Sequence, residues 1–147
     1  MPRPEVRFIV GLPGSGKTPR LMRLQMEGWG IFDDYKARAH GDSTRFRSAL
    51  RYAELVEALR DGKRCAVADM AFCRLADREE ARKNLEEDVP GVVLHWDFFE
   101  NDPQQCAENI RRGERPPAPR LAKLAEFSPQ YSPPSGTTFL PVTRDEM

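Results

Sequence analysis

The sequence carries no excess charge of either sign: 23 Lys and Arg stand against 23 Asp and Glu in 147 residues. A uniform positive field, the usual footprint of non-specific nucleic-acid binding, is therefore missing. No apolar run approaches the roughly 18 residues needed to cross a bilayer. The charged start Met1-Pro2-Arg3-Pro4-Glu5 leads into only a short apolar stretch, unlike a secretory leader. Cysteine is scarce. Cys65, Cys73 and Cys106 are odd in number, far apart and without metal-ligand spacing, so they read as reduced, buried thiols of a cytoplasmic protein. The length suits one domain over residues 1–147, able to bury roughly 70% of its unfolded surface without covalent staples.

What the sequence does contain is a complete phosphate-binding loop. Gly11-Leu12-Pro13-Gly14-Ser15-Gly16-Lys17-Thr18 matches G-x-x-x-x-G-K-[ST]. Its glycines allow a tight turn and a close backbone approach to a ligand. Successive N–H groups of residues 12–18 then form a nest for phosphate oxygens. Lys17 brings a point charge to the β- and γ-phosphates, and the Thr18 hydroxyl is placed for Mg²⁺. Val6–Val10 reads as a strand entering the loop, and Leu21 and Leu24 give the segment beyond it a helical apolar face. Strand, glycine loop and helix in that order are the context the motif requires, and they imply ATP or another nucleoside triphosphate as ligand.

Further strands are predicted at 30–32, 65–68, 92–96 and 137–140. Helices are predicted at 17–27, 44–61, 77–88 and from Pro103, behind an Asp102 cap, to Arg112. In the second helix Phe46, Leu50, Ala53, Val56 and Leu59 recur at helical spacing, and Gly62 caps its end. Alternating strands and helices predict an α/β fold with a parallel sheet covered on both faces. Six prolines crowd residues 113–136, which are expected to form an ordered irregular segment, with a short helical piece at 120–127 and Leu121, Leu124, Phe127 and Tyr131 packing on the domain. Residues 143–147 are expected to fray.

Ligands in such sheets bind at the carboxyl ends of the strands, which directs attention to the acids there. Asp69 closes Cys65-Ala66-Val67-Ala68, the shape of a strand-end carboxylate that helps hold Mg²⁺; a turn or helix cap is the alternative. Asp33 and Asp34 follow Gly30-Ile31-Phe32. A carboxylate there suits an acceptor hydroxyl, while turn formation is the competing reading. Arg111 and Arg112 end the fourth helix, where the dipole favours cations whether or not they cover a nucleotide. Basic residues are also locally dense: Lys36, Arg38, Arg45, Arg47 and Arg51 face only Asp42, and Arg111, Arg112, Arg115, Arg120 and Lys123 face only Glu114. They form either solvated faces or two positive walls around a phosphate site.

These motifs resemble the P-loop kinases of the polynucleotide 5′-kinase and zeta-toxin type, over about residues 5–125. Phe32-Asp33-Asp34-Tyr35-Lys36 is similar to that family's Arg-Asp-Asp-Tyr-Arg element, Ala68-Asp69-Met70-Ala71 lies where it has Ser-Asp-Thr-Asn, and Asn109–Gly113 looks like its lid. The resemblance implies a three-layer sandwich with a five-stranded parallel sheet in the order 2-3-1-4-5. It makes Asp33 the general base, sets Lys36 and Arg38 on the acceptor side, assigns Mg²⁺ to Thr18 and Asp69, and gives Lys17 and Arg112 the developing charge. The implied activity is ATP- and Mg²⁺-dependent transfer of the γ-phosphoryl group to a hydroxyl. The acceptor is a nucleic-acid 5′-end by the resemblance, or a small metabolite or nucleoside by the neutral charge. No membrane partner is implied.

The sequence departs from the family at Phe32, at Met70 and at Pro19. In P-loop proteins the residue after the Ser/Thr donates its N–H to the α-phosphate, and proline has none. Pro19 and Met70 are the best support for the alternative reading, a nucleotide-binding regulatory module with weak ATPase activity.

Overall fold

The computed structural model describes residues 3–36 and 45–144. Four parallel strands form its sheet: β1 (Glu5–Val10), β2 (Gly30–Phe32), β3 (Arg64–Ala68) and β4 (Val93–Phe98), in the order β2-β3-β1-β4. β1 lies between β3 and β4, with Phe8 beside Val67 and Trp96. After β1 the chain skips a position to build β2 at the sheet edge, and β3 fills the gap. The strand order therefore reverses beside the end of β1, the place where open α/β sheets bind ligands.

Among the described residues five α-helices pack around this sheet: α1 (Lys17–Met26), α2 (Tyr52–Arg60), α3 (Leu75–Asp88), α4 (Pro103–Arg112) and α5 (Pro117–Phe127). α4 begins as expected: the Asp102 carboxylate accepts from the Gln105 N–H at 3.1 Å, and Pro103 takes the first helical position, where its missing N–H is harmless. Gly62, at φ 81°, turns the chain out of α2. All three cysteines are free and buried, and burial pushes each thiol up to about 11.

The expected fifth strand is reduced to a single parallel bridge between Phe99 and Leu140. Leu140 donates to the Phe98 carbonyl at 2.8 Å and accepts from Glu100 at 3.0 Å. Pro141 follows at once and has no N–H to extend the ladder, so the pairing stops there. β4 runs two residues further than predicted. Asp97 thus lies inside a strand, ion-paired to Arg7 at 2.7 Å and Arg20 at 3.1 Å, rather than at a strand end.

The second predicted helix is split. Phe46–Ser48 form a 3-10 turn, Ala49 is extended (φ −63°, ψ 144°), and α2 starts only at Tyr52. The cause is α3. Glu80 accepts the Phe46 N–H at 2.6 Å, and Arg47 reaches Glu87 and Asp88 at 3.0 Å each, so this stretch is pinned to α3 instead of coiling. Leu50 is 68% exposed in consequence, although its helical spacing marked it for the core.

Residues 113–136 are more regular than expected, because Pro117 and Pro119 fall in the first turn of an eleven-residue helix, where proline is tolerated. Leu124, Phe127 and Tyr131 are buried, as their spacing suggested, and Leu121 packs against the core. Arg78, itself buried, donates to the carbonyls of Phe72, Cys73 and Ser132 and ties this C-terminal strap to α3. Of the expected frayed tail, residues 145–147 lie outside the described residues.

Phe8 is the centre of the core. Its ring stacks on Trp96 at 4.3 Å and meets Phe72 edge-on at 5.1 Å. Phe8→Ala is expected to destabilise the fold by about 3–5 kcal/mol, and Leu50→Ala by less than about 0.5 kcal/mol. Denaturant unfolding of the two variants checks both.

Candidate nucleotide and acceptor site

The phosphate loop joins β1 to α1 at the sheet's switch point. Gly14 (φ 82°) and Gly16 (φ 111°) occupy left-handed conformations that a side chain rarely adopts. A Cβ on Gly14 would also lie 2.5 Å from the Cys106 carbonyl oxygen, because α4 rests directly on the loop. Asn109 of α4 locks this contact: its Nδ2 donates to the Gly14 carbonyl at 3.0 Å and to the Thr143 carbonyl at 2.9 Å. Ser15 donates its N–H to Leu12 at 3.0 Å. Leu12, Pro13 and Ser15 are buried in the loop wall.

Several features fit a bound triphosphate. α1 opens at Lys17, so the N–H groups of Lys17 and Thr18 have no acceptor within the helix. The Ser15 Oγ is buried without a partner among the described residues. Lys17 folds back, with Nζ at 2.8 Å from the Gly11 carbonyl and 2.9 Å from that of Leu12. Desolvation pulls its pKa below the ordinary lysine value, opposed by the nearby Cys73, Asp69, Cys106 and Asp34. A phosphate offers such an ammonium a stronger, charged acceptor than two carbonyls.

After β2 the chain makes a sharp acidic turn. Asp33 Oδ1 accepts the Asp34 N–H at 2.9 Å, and Asp34 itself is left-handed at φ 47°. Tyr35 then donates to the Ala68 carbonyl at 3.1 Å, and the Lys36 N–H donates to Asp69 at 2.6 Å. This turn brings Asp33 to the phosphate loop, where its Oδ2 accepts from the Thr18 hydroxyl at 3.2 Å. Two residues fifteen positions apart in sequence thus meet at the loop rim.

Asp69 is buried at the end of β3, and its two oxygens accept from the backbone N–H groups of Lys36 and Ala71 (2.8 Å). Burial pushes its pKa up, and those two hydrogen bonds pull the other way. It therefore acts as the cap of the Met70–Cys73 turn while lying close to Lys17. Lys36 is also buried, and its ammonium pairs with Asp77 at 2.7 Å on α3. Arg112 is exposed at the C-terminal end of α4 with no hydrogen-bond or ion-pair partner among the described residues. Arg38 lies outside the described residues.

Sequence named Asn109 only as the first residue of the lid-like segment, with no role of its own. Asn109 carries no motif of its own, and only the seating of α4 on Gly14 shows its contact.

Among the described residues no group of three or more His, Cys, Asp or Glu side chains is arranged to hold a metal alone. The Thr18 hydroxyl and Asp33 carboxylate nevertheless form a hard-oxygen pair of the kind Mg²⁺ takes together with phosphates and water. Among the described residues no helix is long and apolar enough to cross a membrane.

No protein-family model matches the chain, and no curated protein matches it. Among solved structures it is similar to a gluconokinase from Sinorhizobium meliloti 1021, with a TM-score of 0.59 and 20% identity, over 99% of this chain and 86% of that one. At that identity the likeness is one of fold: an α/β architecture with a parallel sheet.

Pro19 is the third residue of α1, a position whose N–H would have no partner within the helix. The fold tolerates proline there, so any loss would fall on a ligand seated at the N-terminus of α1. Pro19→Ala is expected to tighten ATP binding about ten- to a hundredfold, the worth of one hydrogen bond to a charged group. Calorimetric titration with ATP measures it; unchanged affinity would mean that position 19 does not face the nucleotide.

Proposed function

We propose that the chain transfers the γ-phosphoryl group of ATP to a hydroxyl of a small metabolite. The observation that carries this reading is the contact between the Thr18 hydroxyl and Asp33, which joins the phosphate loop to an acidic turn. Loop glycines and backbone N–H groups hold the phosphates, and Lys17 exchanges its carbonyl partners for them. Arg112 is a free cation among the described residues, available to cover the triphosphate from the α4 side. The Asp33–Asp34 turn supplies the carboxylate for the acceptor hydroxyl. Mg²⁺, held through Thr18 and Asp33 and through water at Asp69, would neutralise charge between the phosphates.

Charge distribution favours a small acceptor over a nucleic-acid end. Of the two basic stretches that suggested positive walls, the first is largely paired internally among its described residues. Lys36 is paired with Asp77, Arg47 with Glu87 and Asp88, and Arg51 with Glu54 at 2.9 Å. Arg51 also lies over the Phe32 ring, 4.1 Å from its centroid. Cations tied up in this way release few counterions on meeting phosphates, which is where nucleic-acid affinity originates. The gluconokinase likeness supports the same acceptor class. A nucleotide-binding module with weak hydrolysis remains the second reading, and Pro19 is what favours it.

The test is a label-transfer panel with γ-labelled ATP, Mg²⁺ and D-gluconate, other polyols, nucleosides or 5′-hydroxyl oligonucleotides. Transfer to a small polyol or sugar acid, lost in Lys17→Ala together with ATP binding, is the expected result. Label on oligonucleotides alone would reassign the acceptor, and ATP binding with no transfer would favour the module.

A further inference from the structure

Resting on the nucleotide site of the proposed function, we propose that Asn109 is a positioning residue. Its side-chain amide fixes one peptide plane of the phosphate loop and ties nucleotide affinity to the docking of the C-terminal strap.

The plane joins Gly14 to Ser15. Its N–H donates to the Leu12 carbonyl at 3.0 Å, the same carbonyl that holds the Lys17 ammonium at 2.9 Å. The peptide is trans, so its carbonyl points the opposite way. That oxygen meets α4, where Asn109 Nδ2 donates to it at 3.0 Å. Gly14 sits at φ 82° without a side chain, so nothing in the residue itself keeps this plane from turning over. Turned over, the carbonyl would lie on the Lys17 side, against the phosphate proposed there. The Ser15 N–H would then face Nδ2, donor against donor. Asn109 disfavours that orientation and favours the one that leaves Lys17 open to phosphate.

Asn109 is itself held. It is buried in α4, and its Oδ1 accepts from Gln105 Nε2 at 3.0 Å, which fixes the end of the amide that faces the loop. Nδ2 carries two hydrogens, and both are engaged: one on Gly14, the other on the Thr143 carbonyl at 2.9 Å. A single planar group thus bridges loop and strap. The strap has two further ties beside it, the Leu140 N–H on the Phe98 carbonyl at 2.8 Å and the Val142 N–H on Glu100 Oε1 at 3.0 Å. Loosening the strap frees the amide, and ordering the loop holds the strap; linkage makes the two effects equal.

The size follows from populations. If loss of Asn109 leaves the plane in its binding orientation about a tenth of the time, ATP affinity falls about tenfold. ATP once bound still meets the competent loop, so KM rises and kcat does not fall in step.

Asn109→Leu keeps the branched shape and the helix but removes the donor. Gln105→Glu replaces a donor by an acceptor and draws Nδ2 away from the two carbonyls, at the third position of α4, where glutamate suits the helix. ATP binding is measured by calorimetry at about 0.5 M salt, which screens the added charge. Amide hydrogen exchange of Leu140 and Val142 is followed with and without ATP. Asn109→Leu is expected to weaken ATP about tenfold and Gln105→Glu about threefold or more. ATP is expected to slow exchange at Leu140 and Val142 about three- to tenfold in the wild type and to leave it unchanged in Asn109→Leu. With γ-labelled ATP and D-gluconate, KM for ATP should rise in both variants while kcat stays within about threefold. A merely structural Asn109 would lower the melting temperature and leave ATP affinity and the exchange effect as in wild type, and that result overturns the proposal. If Asn109→Leu does not fold, wild-type affinity in Gln105→Glu overturns it alone. A wild-type chain that binds ATP but transfers to no acceptor defeats the proposed function, while calorimetry and exchange still decide the role of Asn109. No ATP binding by the wild type defeats both.

Discussion

The site depends on one buried carboxylate. Asp69 ends β3 beside the strand that feeds the phosphate loop, and it accepts the N–H groups of Lys36 and Ala71. The first bond folds the chain after β2 back onto the sheet, which turns Asp33 and Asp34 toward the loop. The second caps the Met70–Cys73 turn that carries the chain toward α3. A buried carboxylate left without these donors would carry a large desolvation penalty. The clamp is therefore held by the cost of opening it, and both the acidic turn and the loop wall are rigid by consequence.

A second set of ties fixes the opposite side. α4 presses its backbone against Gly14 and bonds the loop through Asn109, which also holds Thr143 of the C-terminal strap. The strap is anchored in turn by Tyr131 on the Phe99 carbonyl and by Arg78 on the Ser132 carbonyl. The phosphate loop is thus gripped between the central strand, α4 and the segment around Thr143. Such preorganisation lets fixed dipoles act on a phosphate without reorganising at the moment of reaction. With Lys36, Arg47 and Arg51 committed to ion pairs, few free cations remain beside the acidic turn, which is why the proposed acceptor is a small hydroxyl compound rather than a polyanion.

Much of this was legible in the residues. The phosphate loop, its flanking strand and helix, the three-residue β2, and α4 with its Asp-Pro start follow from local chemistry: glycine conformations, capping and hydrophobic periodicity. The parallel order around β1 was implied by resemblance and matches in four strands. What could not be read depends on partners distant in sequence. Phe46 and Leu50 fit a helical stripe, but Glu80, Glu87 and Asp88 on α3 unroll that stretch and leave Leu50 in solvent. The last strand had adequate residues but stops at a bridge because Pro141 cannot continue the ladder. In the site, Asp33 and Asp69 were visible as strand-end acids. Their use of specific partners and the commitment of Lys36 to Asp77 belong to tertiary geometry.

The most direct measurement is a crystal structure with Mg²⁺ and a non-hydrolysable ATP analogue. The expected result places the γ-phosphate between Lys17 and the acidic turn, with Thr18 and Asp33 on the metal side. A carboxylate of the Asp33–Asp34 turn should then lie where it can hydrogen-bond, at about 2.6–3.2 Å, a hydroxyl in line for attack on the γ-phosphorus. A nucleotide seated in the loop with the Asp33–Asp34 turn directed away from its γ-phosphate would contradict it.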